Sequence, residues 1–182
     1  GGRTGIENIY ETFRTLGLFQ KTGIDLPGEA SSIMHKEENV KEVELATISF
    51  GQSFQITPLQ LMSAVSTVIN GGTRITPHFV TEVVNNAGVT VKTIDGIGET
   101  GVISKETSEI MKSVLEQVVS EGTGNNAYVE GFHIGGKTAT SEKLPRRSGK
   151  YIASFIGFAP AENPEVIAMV IIDEPEGQYY GG

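Results

Sequence analysis

The sequence contains no cysteine and no tryptophan, and it has only 3 histidines among its 182 residues. Without cysteine, disulfide bonds and a cysteine nucleophile are both excluded. The histidines, His35, His78 and His133, lack the paired spacing of a metal site, so we expect no metal and no cofactor. No apolar run reaches the roughly 18 residues that a membrane-spanning helix needs, and the longest, residues 166–172, suits a buried strand.

Positive charge is also scarce, because the chain has 14 lysines and arginines but 22 acidic residues, which gives a formal net charge of -8. Since binding to phosphates favours a basic surface, we expect no nucleic-acid partner. The one basic cluster, at Lys143, Arg146, Arg147 and Lys150, is interpreted as a solvated loop. With 38% hydrophobic and 20% charged residues, the composition predicts a folded, soluble chain of one-domain size.

Two helices are predicted in the first half of the chain. Thr4 and Glu7 form a capping-box pattern for the first helix, which we expect to end near Gly17. For the second, Thr57 is the predicted cap, Pro58 fits the first turn, and residues 71–72 end the helix as a glycine pair.

A third helix is predicted from Ser104 to Gly122, and its buried side is expected to consist of Ile110, Met111, Val114, Leu115, Val118 and Val119. Residues 30–44 are polar and charged, which predicts an exposed loop with little order of its own.

Strands are predicted mainly in the last third of the chain. Residues 75–84 and 89–94 suggest a hairpin around the turn at residues 85–88, and three further strands are expected at residues 132–140, 151–158 and 166–173. Helices followed by strands indicate the α+β class, with an antiparallel sheet and packed helices.

Residues 131–138 match the phosphate-binding pattern G-x-x-x-x-G-K-T. A working P-loop opens a helix at its lysine, but Pro145 and the lack of an apolar stripe argue against a helix after Lys137. We interpret the match as coincidental and keep nucleotide binding only as an alternative for testing.

Several stretches, in order, resemble class B penicillin-binding proteins. They are residues 16–18 with 22–29, 46–52 with 57–61, 70–72, 136–140, 151–160, 171–175 and 179–182. The match covers nearly the whole chain, and the division and sporulation enzymes look most similar. The resemblance implies a partial penicillin-binding-protein transpeptidase fold, similar to serine β-lactamases.

The family's chemistry is serine acyl transfer on the D-Ala-D-Ala end of a peptidoglycan stem peptide, and its members are targets of β-lactams. The resemblance therefore implies a parent protein that is membrane-anchored on the extracytoplasmic face of a bacterial cell. Division or elongation proteins are the expected partners. We also expect uncapped sheet edges to permit self-association.

The family's third motif is matched at residues 137–140. By resemblance, Lys137 supplies positive charge near the substrate carboxylate, the hydroxyls of Thr138 and Thr140 bind that carboxylate, and the backbone N–H of Thr140 is an oxyanion donor. Two positions depart from the family, because Ala139 stands where glycine is usual and Glu142 where glutamine is common.

The family's other two motifs are missing. No serine has lysine three residues later, and none has asparagine two residues later. We therefore expect residues 1–182 to be the C-terminal portion of a transpeptidase domain, without its nucleophile or closing helix and inactive by itself. The alternative is a non-catalytic module that binds peptidoglycan or a partner protein.

Overall fold

The computed structural model describes residues 2–96, 98–145 and 147–181. These residues form four α-helices and five β-strands: α1 Ile6–Thr15, α2 Glu42–Ile48, α3 Pro58–Ile69, β1 Glu82–Val84, β2 Thr90–Thr93, α4 Lys105–Ser120, β3 Gly135–Glu142, β4 Tyr151–Ala159 and β5 Val166–Asp173. The chain divides into two compact units, one comprising Gly1–Thr67 with Thr73–Val102 and the other Val68–Gly72 with Ile103–Gly182.

In the first unit, α1 packs the buried ring of Tyr10, whose hydroxyl donates to the carbonyl of His35 at 2.8 Å. The helix does not use the capping box predicted at Thr4 and Glu7. Its cap is Gly5, which has a φ of 77° and no side chain to accept a hydrogen bond. The predicted end near Gly17 is confirmed, because the helix stops at Thr15.

The segment predicted as a loop at residues 30–44 is more ordered than expected. Ile33 exchanges backbone hydrogen bonds with Gln55, at 2.8 and 2.9 Å, and a short 3₁₀ helix occupies Glu37–Asn39. Helix α2 then begins at Glu42 and buries Ile48. The prediction was right that the segment is exposed, since none of residues 30–44 is buried, but wrong about its order, because the apolar positions of α2 are too few to reveal its helical period.

Helix α3 begins as predicted. Thr57 Oγ1 accepts the N–H of Gln60 at 3.1 Å, and Gln60 Oε1 accepts the N–H of Thr57 at 2.8 Å, which forms a reciprocal capping box. Gln60 is 1% exposed, and its amide also donates to the carbonyl of Gln20 at 2.7 Å. The start of α3 is thereby tied to the segment that follows α1.

The predicted hairpin is confirmed, although its first strand is shorter than expected. Strands β1 and β2 pair in antiparallel register, while the residues from 75 to 81 form no strand. The turn depends on Asn85, whose side-chain oxygen accepts the N–H groups of Ala87 and Val89 at 2.9 and 3.0 Å.

In the second unit, α4 begins next to Ser104, as predicted, and Ser104 caps it by accepting the N–H of Thr107 at 3.0 Å. The predicted buried side of this helix was partly wrong, because Ile110 and Val114 are 58% and 47% exposed. Ser108 and Lys112 are buried instead. The hydroxyl of Ser108 accepts the N–H of Gly71 at 3.0 Å, and Lys112 Nζ donates to the carbonyl of Glu162 at 2.7 Å. These hydrogen bonds offset the cost of burying polar groups.

The second unit also contains a three-stranded antiparallel sheet in the order β3-β4-β5. Its core residues include Ala153, Ile156 and Phe158 on the central strand. Helices combined with antiparallel strands confirm the predicted α+β class. Strand β3 starts three residues later than predicted and lies at an edge of this sheet.

Candidate substrate-binding strand

The predicted motif lies on edge strand β3, opposite residues 153–156 of β4. Because side chains alternate along a strand, Thr138 and Thr140 share one face of the sheet, while Lys137 and Ala139 lie on the other. Thr138 faces Phe155 across the ladder and Thr140 faces Ala153. The two threonine hydroxyls therefore stand side by side on one surface.

The register also fixes the direction of the backbone groups. The N–H of Lys143 donates to the carbonyl of Lys150 at 2.8 Å, just beyond the ladder. Hydrogen-bonded and non-hydrogen-bonded pairs alternate in an antiparallel ladder. The backbone N–H and C=O groups of β3 residues at an even distance from Lys143 therefore point to β4, and those of the other β3 residues point away from it. The N–H of Thr140 consequently points away from β4, toward the outer edge of the sheet.

Gly135 and Gly136 are required by aromatic packing. A Cβ atom on Gly136 would lie 2.5 Å from Cζ of Phe155, and one on Gly135 would overlap the ring of Phe158. Gly135 already belongs to strand β3, which continues through Lys137 to Glu142. The P-loop alternative is thus wrong, because a strand replaces the helix N-terminus that would bind phosphate.

Lys137 has an exposed side chain, and its Nζ donates to the carbonyl of Thr138 at 2.8 Å. By the alternation described above, the carbonyl of Thr138 points away from β4. The ammonium group of Lys137 thus lies at the same edge of β3 as the outward backbone groups of the motif.

A residue that the sequence interpretation missed accompanies Thr138. The hydroxyl oxygens of Thr123 and Thr138 lie 3.3 Å apart. Thr123 follows α4 in a turn where the N–H of Gly124 donates to the carbonyl of Val118 at 2.9 Å. No local spacing could reveal this neighbour, since it is 15 residues away in sequence.

A second missed residue accompanies Thr140. The backbone N–H of Gly181 donates to Thr140 Oγ1 at 3.1 Å. The chain reaches this point after Tyr179, whose ring stacks on that of Tyr151 with centroids 4.4 Å apart. The sequence interpretation included residues 179–182 in the family pattern without giving them a role, and Gly182 lies outside the described residues.

Hydrogen bonds and ion pairs of charged side chains stabilise the loop after β3. The N–H of Arg147 donates to the carboxylate of Glu142. Lys143 Nζ contacts Glu174 and Asp173 at 2.8 and 2.9 Å, and these hydrogen bonds raise the pKa of Lys143. Of the predicted basic cluster, Arg146 lies outside the described residues.

Lys150 lies 2.9 Å from the Glu174 carboxylate, and the hydrogen bonds from Lys143 and Lys150 lower the pKa of Glu174. Lys143 and Lys150 are thus engaged with acidic residues at the end of β5. Among residues 2–96, 98–145 and 147–181, no three His, Asp or Glu side chains are grouped to hold a metal ion. None of the helices in this described part is long and apolar enough to cross a membrane.

A family model described as the penicillin binding protein transpeptidase domain matches residues 2–182. The chain belongs to this family. Stage V sporulation protein D of Bacillus subtilis (strain 168) is 45% identical over 189 residues, which cover 100% of the chain and 29% of that protein. A probable peptidoglycan D,D-transpeptidase, PenA of Neisseria meningitidis, is 35% identical over 184 residues, which cover 99% of the chain and 30% of that protein.

Solved penicillin-binding proteins share the fold. Penicillin-binding protein 3 of Mycobacterium tuberculosis in complex with ampicillin matches with a TM-score of 0.89 and 27% identity, over 96% of this chain and 41% of that one. The transpeptidase domain of penicillin-binding protein 3 from Burkholderia pseudomallei matches with a TM-score of 0.80 and 31% identity, and the match covers 97% of this chain and 52% of that one. These matches confirm the family and fold that the motifs suggested.

The chain spans about three tenths of the length of the relatives that it matches. Within it, strand β3 brings together Lys137, Thr138 and Thr140, which are the three side chains that the motif predicted. Thr123 contacts Thr138 and Gly181 contacts Thr140 in this candidate site.

Proposed function

We propose that this chain is part of a class B peptidoglycan D,D-transpeptidase and supplies the strand that binds the substrate carboxylate. The observation that carries the proposal is the arrangement of β3, where two neighbouring hydroxyls and one exposed ammonium group accompany an outward-pointing backbone. The family membership and the similarity to a penicillin-binding protein solved with ampicillin support the same conclusion.

In the proposed complex, the C-terminal carboxylate of a D-Ala-D-Ala stem peptide accepts hydrogen bonds from the hydroxyls of Thr138 and Thr140. A β-lactam carboxylate takes the same place. Hydrogen bonds to a charged group are about twice as strong as neutral ones, so two adjacent hydroxyls select for an anionic end group. Lys137 adds the positive charge that attracts the carboxylate to this edge.

The N–H of Thr140 is the proposed oxyanion donor. A catalytic serine attacks the carbonyl carbon of the peptide, and the carbonyl oxygen becomes negatively charged in the tetrahedral intermediate. An N–H group that is held by a strand stabilises this charge without reorganisation, and the loss of one such donor costs about 10²–10³ in rate. The outward direction of the Thr140 N–H supports this role.

The nucleophile has to come from a segment that this sequence does not contain, since no serine here begins an S-x-x-K motif. We therefore propose that residues 1–182 correspond to the C-terminal portion of a transpeptidase domain and do not react with penicillin alone. The intact protein is proposed to be membrane-anchored and to act on the extracytoplasmic face.

Labelling with a fluorescent penicillin tests the proposal. A longer polypeptide that joins this chain to the S-x-x-K segment should be labelled in a stoichiometric and covalent manner, whereas this chain alone should remain unlabelled. Covalent labelling of residues 1–182 alone would disprove the account of the nucleophile. A longer polypeptide that stays unlabelled would disprove the proposed function.

The same absence of S-x-x-K favours a second candidate, a non-catalytic module that binds peptidoglycan or a partner protein. Sedimentation of this chain with purified peptidoglycan distinguishes the two candidates. Saturable binding that persists in a Thr138→Val, Thr140→Val variant would favour the module, because that binding would not use the carboxylate-binding hydroxyls.

A further inference from the structure

A groove lies between the second half of α4 and the segment that leads into β3, and both belong to the second unit. The helix contributes Glu116, Val119 and Ser120 to the lining of this α4 groove, and the segment contributes Tyr128, Phe132 and His133. Its volume of about 170 Å³ is below that of sites for drug-sized ligands. The α4 groove therefore suits a single apolar side chain.

Hydrogen bonds fix the walls of the α4 groove. Nδ1 of His133 lies 2.6 Å from Oε1 of Glu116, and the carbonyl of His133 accepts the N–H of Ala161 at 2.9 Å. At the end of the helix, the side-chain amide of Asn125 donates to the carbonyls of residues 119 and 120 at 3.3 and 3.2 Å. The groove is thus preformed, and an occupant pays little for ordering it.

Apolar side chains are exposed around the α4 groove. Phe132 is 66% exposed, Tyr128 52% and Val129 49%, and the first two line the groove itself. Single exposed apolar side chains need no explanation, whereas a group of them marks an interaction surface. The group around Phe132 is therefore a candidate contact surface for another polypeptide segment.

The charge of this surface is acidic. Between Ser113 and Gly136 the sequence contains Glu116, Glu121 and Glu130 but neither lysine nor arginine. Carboxylates attract a positively charged partner and repel an anionic one. The expected occupant therefore carries an apolar side chain next to basic residues, and the carboxylate end of a stem peptide does not fit this description.

The chain itself carries such a segment in the loop that follows β3. Residues 143–150 include four basic residues and no acidic residue. Leu144 in this loop is 75% exposed, the highest value among the large apolar side chains in the described part of the chain. Arg147 is exposed as well, while Lys143 and Lys150 are engaged in the ion pairs at the end of β5.

The loop cannot reach the α4 groove of its own molecule. The groove precedes β3 and the loop follows it, and the eight residues of β3 extend over about 25 Å. The ion pairs of Lys143 with Asp173 and Glu174 hold the loop at the far end of the strand. A groove and a loop can therefore meet only when they belong to two copies of the chain.

We propose that the loop of one copy of this chain docks in the α4 groove of a second copy. Leu144 enters the groove beside Phe132 and Tyr128, and Arg147 faces the glutamates around it. The contact is heterologous, because every copy has one groove and one loop, so it extends to rings or linear arrays. It does not depend on the function proposed for β3.

Sedimentation equilibrium of this chain tests the association. A contact with one apolar anchor is small and transient, so the weight-average mass should rise with protein concentration up to the millimolar range. It should fall toward the mass of one chain in about 1 M sodium chloride, which screens the charges. A mass of one chain at every concentration in low salt would overturn the inference.

Two single variants and a control assign the contact to its residues. Phe132→Ser and Leu144→Ser each change an exposed side chain, so both should fold, as circular dichroism can verify, but neither should associate. Phe79→Ser changes a ring of the first unit that is 69% exposed, and it should associate like the unmodified chain. Association of either single variant at the unmodified level would assign the contact to another surface and overturn the inference.

A mixture of the two single variants isolates one contact. Phe132→Ser retains its loop and Leu144→Ser retains its groove, so one contact can form between them and no further copy can be added. The mixture should contain pairs of one copy each, although neither variant associates alone. A mixture that keeps the mass of one chain, under conditions in which the unmodified chain associates, would contradict the proposed pairing of loop and groove.

A labelled peptide with the sequence of residues 142–149 gives a test that requires no variant of the chain. Its fluorescence anisotropy should rise on titration with the unmodified chain, and replacement of its leucine by serine should weaken binding about tenfold or more. A peptide of the same composition in scrambled order controls for charge alone. Equal affinities for the three peptides would overturn the inference.

Discussion

Thr123 and Thr138 place their hydroxyl oxygens 3.3 Å apart, although one follows helix α4 and the other lies on strand β3. The contact joins the turn at the end of the helix to the Lys137–Thr140 motif on β3. It gives Thr138 a partner outside its own strand, just as Gly181 is a partner for Thr140.

Thr123→Val should lower acylation of the serine-containing polypeptide by benzylpenicillin about two- to fivefold, because the Thr138 hydroxyl loses its neighbour. Thr123→Ser keeps the hydroxyl and should react like the unmodified protein. The measurement is the second-order acylation rate. A Val variant as fast as the Ser variant would show that Thr123 does not affect Thr138.

Gly136→Ala should destabilise the chain by about 1–3 kcal/mol, since the added Cβ overlaps the ring of Phe155 in the interior of the second unit. Ala139→Gly, at an exposed position of the same strand, should cost only about 0.5–1 kcal/mol. Urea unfolding followed by circular dichroism gives both values. Equal costs for the two variants would contradict the packing described for Gly136.

Gln60→Leu should destabilise the first unit by about 1–3 kcal/mol, because it leaves the N–H of Thr57 and the carbonyl of Gln20 without their partner. The matched control is Gln117→Leu on the exposed side of α4, which should change stability by less than about 0.5 kcal/mol. Thermal unfolding compares them, and similar melting temperatures would argue against a structural role of the buried amide.

The hydrogen bonds of the Asp25 carboxylate predict that the stability of the chain depends on pH. Its carboxylate accepts the N–H groups of Phe79 and Val80 at 2.9 and 2.8 Å, and these bonds hold the pKa of Asp25 below its ordinary value. A carboxyl whose pKa is lowered by folding stabilises the protein above its unfolded pKa of about 4, and the contribution disappears as the pH falls through the folded pKa.

Asp25→Asn should therefore lower the melting temperature at pH 7 and have little effect near pH 2. Asp95→Asn, at another exposed position of the same unit, is the control and should have no comparable effect at pH 7. A melting-temperature difference between the unmodified chain and Asp25→Asn that stays constant from pH 7 to pH 2 would contradict the described role of the carboxylate.

Local signals in the sequence predicted those elements whose ends are determined by neighbouring residues. Thr57 forms the expected cap with Gln60, and α4 begins at Ser104 as expected, because each of these helix starts needs only groups within three residues. The cap predicted at Thr4 does not form, although its sequence pattern was similar. Gly5, with a φ of 77°, is the cap instead, one residue later.

The features that sequence reasoning missed depend on contacts between distant residues. Lys112 is charged and still buried, and besides its ion pair with Glu109 it donates a hydrogen bond to the carbonyl of Glu162, which is 50 residues away. Gly181 approaches Thr140 from 41 residues away. The motif identified Lys137, Thr138 and Thr140, but its spacing carried no information about the distant residues that contact the two threonines.

The central claim is that β3 forms the carboxylate-binding wall of a transpeptidase site, and Lys137→Ala tests it most directly. In the serine-containing polypeptide, acylation by benzylpenicillin should fall by about tenfold or more in Lys137→Ala, because the charge that attracts the carboxylate is lost. Lys143→Ala, on the same hairpin but paired with Asp173 and Glu174, should fall by less than about threefold. Equal rates for the two lysine variants would contradict the assignment of β3.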